Sequence, residues 1–315
     1  QRRKEIVSSI YNNRKKLIDL LTYLEHKRTE FSHRLDIEYR TKGFFKQQTG
    51  WETANEKLIP KEIKNISCAE KFMRVNIEEA IELLEHLNIP LPFIFVCCEP
   101  WLLSAKLHKI LEKLFEGEYY LLPDFWVWHV NPIKKDAGWG VHRDRGPASL
   151  FQNGKPKSLT VWIPLTDATT ENGCMYVLPA NRDTNYLDGA INKEKIDLQN
   201  ILALPAGAGS PIIWNQAIMH WGGSSSSYAP FPRVSICFEM QRKKGEALQR
   251  PTIDPFCKMS LSRRLFIVGL EILNYKHMSN LDEEFLEFAK LLCKETINDQ
   301  PIPSKRNQKD NMAIF

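Results

Sequence analysis

The spacing of apolar residues changes twice along the chain, and each change predicts a change of secondary structure. Up to residue 118 the apolar positions recur with a helical period, as in residues 76–87, where Asn76 is a suitable N-cap, and in residues 101–115. Between residues 119 and 242 short strand patterns alternate with turns, and the helical period then returns. The sequence therefore predicts a β-rich core between helical flanks.

The predicted strands are rich in β-branched and aromatic residues, and glycine- or proline-bearing turns lie between them. They cover residues 125–131, 158–164, 174–178, 201–204, 212–214 and 234–240. Short strands with frequent turns favour a sandwich or barrel. We expect one compact unit with a helical N-terminal flank (1–118), a β core (119–242) and a C-terminal flank (243–315). This last flank is predicted to contain helices at 261–275 and 281–296 and a disordered tail.

The N-terminal segment combines a hydrophobic stripe with the chain's excess of positive charge. Ile10, Leu17, Leu24 and Phe31 recur every seven residues within a predicted helix over residues 2–40. This helix either packs on its own domain or pairs with a second copy of the chain. Residues 1–60 hold 13 Lys and Arg against 8 Asp and Glu, which accounts for the whole net charge of +5. So small an excess is typical of a solvated helix face, and we do not expect nucleic acid as a partner.

Composition and cysteine usage indicate a soluble globular protein of the cytoplasm. Hydrophobic residues make up 43% of the chain and charged residues 26%, which is ordinary for globular domains. The seven cysteines form no CxxC pair and are odd in number, so we expect reduced thiols. No apolar run reaches the roughly 18–20 residues that a membrane-spanning helix requires. The chain is therefore predicted to have no membrane span.

Two histidines and one aspartate are the strongest chemical signal in the β region. His142 and Asp144 are two residues apart, so on an extended strand both side chains point to the same face. With His220 from a distant segment they form the ligand set of a mononuclear non-haem Fe(II) site, the facial triad. Three ligands on one side of a metal leave its other side open for substrate and dioxygen.

A second pair of polar residues follows the triad at strand spacing. Arg233 and Ser235 share a face if residues 234–240 are extended, so they can bind one carboxylate, the guanidinium in bidentate fashion. Arg233 taken alone could equally belong to a surface ion pair. Around the site we consider Trp128, His129 and Trp221 as candidate substrate-contacting residues, although such residues are also common in cores.

Several motifs of the β region resemble the Fe(II)/2-oxoglutarate dioxygenases of the phytanoyl-CoA dioxygenase-like family. They are VHRD (141–144), LTVWIPL (159–165), ENGCMYVLP (171–179), AGAG (206–209) and the later His220 and Arg233. The resemblance covers roughly residues 120–242. It implies a double-stranded β-helix, or jelly-roll, core that carries Fe(II) in its mouth.

The resemblance also implies roles for individual residues. His142, Asp144 and His220 would bind Fe(II). Arg233 would bind the distal carboxylate of 2-oxoglutarate with help from Ser235, and Trp162 would line the co-substrate site. The implied reaction consumes O2 and 2-oxoglutarate, releases succinate and CO2, and hydroxylates a small-molecule metabolite. Desaturation or ring closure remains open, whereas an aspartate ligand argues against halogenation.

One departure from the family pattern and one competing function stay open at this point. Residues 180–182 are Ala-Asn-Arg where the family often has Gly-Ser-His, which could reshape the loop 180–200. This loop and the loop 223–230 are candidate lids. The alternative function is a metal-binding jelly-roll module, a sensor or pseudoenzyme without oxygenase activity. Such a module would have no need for Arg233 and Ser235.

Overall fold

The computed structural model describes residues 12, 15–16, 66–97, 99–192, 196–255, 259–277 and 281–297. Most of the predicted helix 2–40 lies outside these residues. The chain divides into two compact units, one formed by Gln1–Pro90 with Met259–Phe315 and the other by Leu91–Lys258. The helices are α1 (Ile66–His86), α2 (Glu99–Ala105), α3 (His108–Phe115), α4 (Leu261–Asn274) and α5 (Glu283–Ile297).

Two antiparallel sheets form the unit Leu91–Lys258. The strands are β1 (Tyr119–Val130), β2 (Ser158–Pro164), β3 (Met175–Leu178), β4 (Leu202–Leu204), β5 (Ile212–Asn215), β6 (Met219–Gly222) and β7 (Arg233–Arg242). The larger sheet has the order β1-β7-β2-β5 and the smaller has the order β4-β3-β6. Single bridges from residues 137 and 142 to residues 224 and 220 add a further segment beside β6. The chain passes repeatedly between the sheets, which is the arrangement of a jelly roll, so the predicted fold class is confirmed.

The pairing register divides the larger sheet into an apolar outer face and a polar inner face. On the outer face, Phe125 of β1 lies opposite Phe238 of β7, and both rings contact the aromatic residues of a helical layer. The centroid of the Phe95 ring is 4.3 Å from that of Phe125, and Trp101 of α2 packs on both strands. This cluster buries the outer face, so the inner face is available for polar side chains.

Some predicted elements have different limits in the structure. Strand β1 begins at Tyr119 rather than 125 because it continues past Pro123 with an irregular register between Leu121 and Phe125. The predicted helix 101–115 is two helices, α2 and α3. Strand β6 was not predicted, since four residues are too few for a periodic pattern. The prediction that Asn76 caps a helix was wrong, because α1 already begins at Ile66.

Helices α4 and α5 pack together within the other unit. Ser260 caps α4 by accepting a hydrogen bond from the backbone N–H of Arg263 at 3.2 Å. Gly269 allows a close approach of the helices, since a Cβ there would lie 2.9 Å from the carbonyl oxygen of Ala289. Within the described part of the chain, no helix combines the length and the apolar character that crossing a bilayer requires.

The aromatic cluster on the outer face predicts a large loss of stability when Phe95 is truncated. The Phe95→Ala variant removes a fully buried ring, so we expect the free energy of unfolding to fall by about 3–5 kcal/mol. Urea unfolding followed by tryptophan fluorescence measures this change, because seven of the eight tryptophans belong to the unit Leu91–Lys258. The Leu198→Ala control removes a side chain that is 79% exposed and should change stability by less than about 0.5 kcal/mol. Equal losses in the two variants would contradict this account of the core.

Candidate metal centre

A single antiparallel bridge brings the two candidate histidine ligands together. The backbone N–H of His142 donates to the carbonyl oxygen of His220, and the reverse bond is also made, each at 3.0 Å. Asp144 follows in a bend and not on a regular strand, so the expectation that one strand carries both His142 and Asp144 was wrong. The bridge alone is sufficient, however, since the ligand atoms of the three residues all lie within 4.8 Å of one another.

The imidazole rings are oriented so that both Nε2 atoms face the same carboxylate oxygen. Each Nε2 lies 3.3 Å from Oδ1 of Asp144. The opposite ring nitrogens contact backbone carbonyls, Nδ1 of His142 that of Gly140 at 2.7 Å and Nδ1 of His220 that of Ile218 at 3.2 Å. When Nδ1 carries the proton and donates it to a carbonyl, Nε2 has its lone pair free for a metal. The arrangement is that of a prepared metal site.

The second oxygen of Asp144 is held by the larger sheet. Oδ2 accepts hydrogen bonds from Oγ1 of Thr160 at 2.6 Å and from the indole N–H of Trp214 at 3.1 Å. The amide of Gln216 donates to Oγ1 of Thr160 at 3.2 Å, so the Thr160 hydroxyl proton is directed to Asp144. With Oδ2 occupied, only Oδ1 faces the histidines. Sequence reasoning missed these three residues, because their role depends on long-range contacts.

The charges of the triad stabilise one another. Burial alone would raise the pKa of Asp144, but His220 and His142 outweigh that effect and hold the pKa well below its usual range. Burial likewise lowers the pKa of His220, and the Asp144 carboxylate more than compensates, so that pKa is raised. A divalent cation at the same place would compete with protons for these groups.

Arg233 is a buried cation on the inner face of β7. Only 1% of the surface of Arg233 is exposed. Burial lowers the pKa of the guanidinium to about 10, so the group remains charged at neutral pH. Nε donates to the carbonyl oxygen of Gly173 at 3.0 Å and Nη1 donates to Oγ of Ser235 at 2.7 Å. None of the carboxylates in the described ranges forms an ion pair with it. A buried guanidinium with only neutral partners is costly, which indicates a place for an anion.

Two glycines bring the Arg233 guanidinium beside the strand that carries His220. A Cβ on Gly138 would lie 2.5 Å from Cα of Gly222 and 3.0 Å from Nη2 of Arg233. Any side chain there would push apart the segment before His142, strand β6 and the guanidinium. Gly138 thus has a close-packing role.

Trp162 and Trp128 lie on the inner face, near the polar pair. Trp162 is buried, with its ring centroid 5.7 Å from the Arg233 guanidinium carbon, and its indole N–H has no hydrogen-bond partner in the described part of the chain. Trp128 lies opposite Ser235 in the sheet and forms a row with Trp126 and Trp139, with ring centroids 6.2 and 6.0 Å from its own. This aromatic row is a candidate wall for an organic substrate.

Two of the candidate substrate residues lie away from the ligand cluster. His129 follows Trp128 on β1 and pairs with Val234, so its side chain lies on the outer face of the sheet. Trp221 follows His220 on β6 and stacks on Tyr176 with centroids 5.8 Å apart, on the face opposite the metal ligand. Their assignment to the substrate site stays a prediction, which this placement does not support. The alternation of neighbouring strand residues already indicates these faces.

The arginines that flank Asp144 bind away from the ligand cluster. Arg143 forms an ion pair with Asp183 at 2.7 Å. Arg145 forms ion pairs with Asp124 and, at 2.7 Å, with Glu239. Burial and the neighbouring Asp124 raise the pKa of Glu239 to about 8, although Arg145 opposes this rise. Neither guanidinium belongs to the triad.

The jelly-roll fold and the His-Asp-His cluster define a class of protein with a facial-triad metal site in a double-stranded β-helix. The chain belongs to the phytanoyl-CoA dioxygenase (PhyH) family, whose model matches residues 73–233, just over half of its length. The resemblance inferred from the motifs is thereby confirmed, and the match begins well before residue 120, within α1. No curated protein matches the chain.

The chain is also similar to several solved structures. The epimerase SnoN from nogalamycin biosynthesis is 19% identical, with 47% of this chain and 66% of that chain aligned and a TM-score of 0.35. EctD from S. alaskensis, crystallised with 2-oxoglutarate and 5-hydroxyectoine, is 18% identical over 50% and 60% of the chains, with a TM-score of 0.36. AviO1 from Streptomyces viridochromogenes is 16% identical over 45% and 59%, with a TM-score of 0.34. The alignments thus span at most about two thirds of these three proteins.

The hydrogen bonds to Oδ2 of Asp144 predict that Thr160 contributes to metal affinity. In the Thr160→Val variant the carboxylate loses a donor, so we expect Mn(II) to bind about 10–100-fold more weakly in calorimetry. The Thr160→Ser variant keeps the hydroxyl and should bind Mn(II) as the unaltered protein does. Unchanged affinity in the valine variant would show that Thr160 does not position Asp144.

Proposed function

We propose that the protein is an Fe(II)- and 2-oxoglutarate-dependent oxygenase that hydroxylates a small-molecule metabolite. The observation that carries this proposal is the buried Arg233 guanidinium, which lies beside the strand of His220 and forms no ion pair with a carboxylate in the described ranges. A metal site alone would not require such a group. A co-substrate that carries a carboxylate would.

The donor set of the triad suits Fe(II). Two imidazole nitrogens and one carboxylate oxygen converge from one side, and the second carboxylate oxygen is occupied by Thr160 and Trp214. This is the two-histidine, one-carboxylate combination that leaves coordination positions open. We assign His142, Asp144 and His220 as the ligands. When bound, Fe(II) with 2-oxoglutarate would supply the oxidation of a substrate C–H bond by O2, with succinate and CO2 as by-products.

The groups around Arg233 suit the distal carboxylate of 2-oxoglutarate. Nη1 of Arg233 and the hydroxyl of Ser235 are already 2.7 Å apart, so one carboxylate can bind both. The indole N–H of Trp162 is a second buried donor that has no acceptor in the described part of the chain. A buried N–H without an acceptor is costly, and a bound co-substrate would supply one.

The substrate would lie against the tryptophan row on the inner face of β1. Trp126 and Trp128 are half-buried and Trp139 is 38% exposed, so the row runs from the interior to the surface. An organic molecule with an apolar or planar part fits such a wall. Asp144 occupies the position that a halide would need, so we propose hydroxylation over halogenation. In the described ranges, Cys97, Cys174, Cys237 and Cys293 are free thiols, which supports a reducing, cytoplasmic location.

The role of Arg233 predicts a selective loss of 2-oxoglutarate binding. In the Arg233→Lys variant the planar donor set is lost, so we expect 2-oxoglutarate to bind at least about tenfold more weakly in the presence of Mn(II). Affinity for Mn(II) itself should be unchanged within about threefold, since Arg233 is not a ligand. Calorimetry measures both affinities in one protein preparation.

The matched control is Arg242→Lys, at the other end of the same strand. Arg242 donates to backbone carbonyls, such as that of Pro156, far along the strand from Arg233. This variant should bind 2-oxoglutarate normally. If well-folded protein bound Mn(II) but no 2-oxoglutarate, the result would favour the metal-binding module, a sensor or pseudoenzyme, over the oxygenase.

Catalysis itself is tested with a metabolite extract. Incubation with Fe(II), 2-oxoglutarate and air should convert one component into a product that has gained one oxygen atom, as seen by mass spectrometry, with formation of succinate. The His142→Ala variant loses a ligand and should lose this conversion, by at least about 100-fold. Persistent succinate formation that depends on substrate in the variant would sink the assignment of His142.

A further inference from the structure

Arg143 stands between two triad residues, yet its side chain organises a different part of the molecule. The side chain is 3% exposed, and all three of its nitrogens are engaged. Nη1 donates to the carbonyl oxygen of Ala217 at 2.7 Å. The remaining hydrogen bonds go to carbonyl oxygens of one loop, those of Gly189 at 3.2 Å, Asn185 at 3.4 Å and Ala190 at 3.2 Å. The guanidinium is thus surrounded by backbone from two segments.

The residues 183–190, called here the Arg143 loop, are held by this side chain and by the hydroxyl of Tyr186, which donates to Oδ1 of Asn215 at 3.1 Å. Oδ2 of Asp183 is 2.7 Å from Nη1 of Arg143, and its other oxygen accepts from the backbone N–H of Asn185 at 3.0 Å. Gly189 has a φ of +77° and lies against Pro147, where a Cβ would be 2.5 Å from Cδ of the proline. No residue of this loop belongs to a strand. The buried ion pair and the three carbonyl bonds therefore contribute most of the polar contacts that tie this loop to the segment of the triad.

Ala217 connects the same guanidinium to the segment of His220. Residues 216–218 form the turn between β5 and β6, and His220 follows three residues after Ala217. The backbone N–H groups of Arg145 and Gly146 both donate to the carbonyl oxygen of Gln216 at 3.1 Å. The two segments that carry the triad are therefore joined at this turn as well as at the histidine bridge.

We propose that Arg143 is a positioning residue that couples order in the Arg143 loop to occupancy of the metal site. A cation bound by the triad would fix the backbone on both sides of Arg143 and the turn at Ala217, and the guanidinium would pass this restraint to the loop. Coupling is reciprocal, so an ordered loop raises metal affinity. The loop is then a fixed wall next to the metal site and not a free lid. The inference rests on the proposed function only in requiring that the triad binds a divalent metal.

Only arginine has the donors for this role. Its guanidinium directs five N–H groups in a planar fork, whereas a lysine ammonium is a single nitrogen that cannot reach carbonyls in two separated segments. Asp183 supplies the compensating charge, which a buried guanidinium requires. The Arg143→Lys variant keeps the charge and tests the geometry of the fork.

Hydrogen exchange of the unaltered protein, followed by mass spectrometry with and without Mn(II), tests the coupling directly. Exchange of amides in residues 183–190 should slow at least about fivefold when Mn(II) is bound. In Arg143→Lys this response should disappear, and calorimetry should show Mn(II) affinity at least about fivefold weaker. The Asp183→Asn variant keeps the carbonyl bonds. Its exchange response and its Mn(II) affinity should therefore lie between those of the unaltered protein and those of Arg143→Lys.

Arg182→Lys is the matched control, since this neighbouring exposed arginine donates to Oδ1 of Asn200 at 2.7 Å and not to the Arg143 loop, so it should leave both measurements unchanged. If the unaltered protein binds Mn(II) and 2-oxoglutarate but residues 183–190 exchange at the same rate, the coupling is refuted while the proposed function stands. Absence of Mn(II) binding would overturn both. Because exchange in the unaltered protein is sufficient to test the coupling, a variant that fails to fold leaves the test intact.

Discussion

The antiparallel bridge between His142 and His220 is the contact on which the site depends. It places the two imidazole centroids 4.2 Å apart and brings Oδ1 of Asp144 within 3.3 Å of both Nε2 atoms. The bridge forms only because Gly138 and Gly222 let two backbone segments approach within van der Waals distance. A side chain at either glycine would move the ligands apart, although no ligand residue itself would be substituted. Backbone packing thus sets the metal geometry.

The register of the larger sheet determines which side chains can take part in chemistry. Pairing of β1, β7 and β2 directs phenylalanine and aliphatic side chains to the outer face and polar ones to the inner face. Most buried polar groups there satisfy one another, as Thr160 and Gln216 do for Asp144. The exceptions in the described ranges are informative: the Arg233 guanidinium has no carboxylate, and the Trp162 N–H has no acceptor. Both groups lie where a co-substrate would bind.

The sequence was sufficient for features that depend on residue type and local period. Strand β2 has the predicted limits, 158–164, because every one of its residues is buried in a β-branched and aromatic run. The candidate metal ligands could be predicted from the sequence, because a facial-triad site requires two histidines and one aspartate together. Other features could not be predicted from the sequence, because each arises from pairing between distant segments. They are strand β6, the bend at Asp144, and the contacts of Thr160 and Trp214 with Asp144. The face on which His129 lies follows from strand alternation, which is itself a local rule.

The sequence His-Arg-Asp-Arg shows how one short segment serves several purposes. His142 and Asp144 face the metal side, whereas Arg143 and Arg145, which alternate with them along the chain, bind other partners. Arg143 reaches the loop that follows β3, and Arg145 reaches the acidic pair Asp124 and Glu239. The ligands are thus held from both sides, by the larger sheet through Thr160 and by a loop through Arg143. A change within residues 183–190 can therefore alter the surroundings of the metal without touching a ligand.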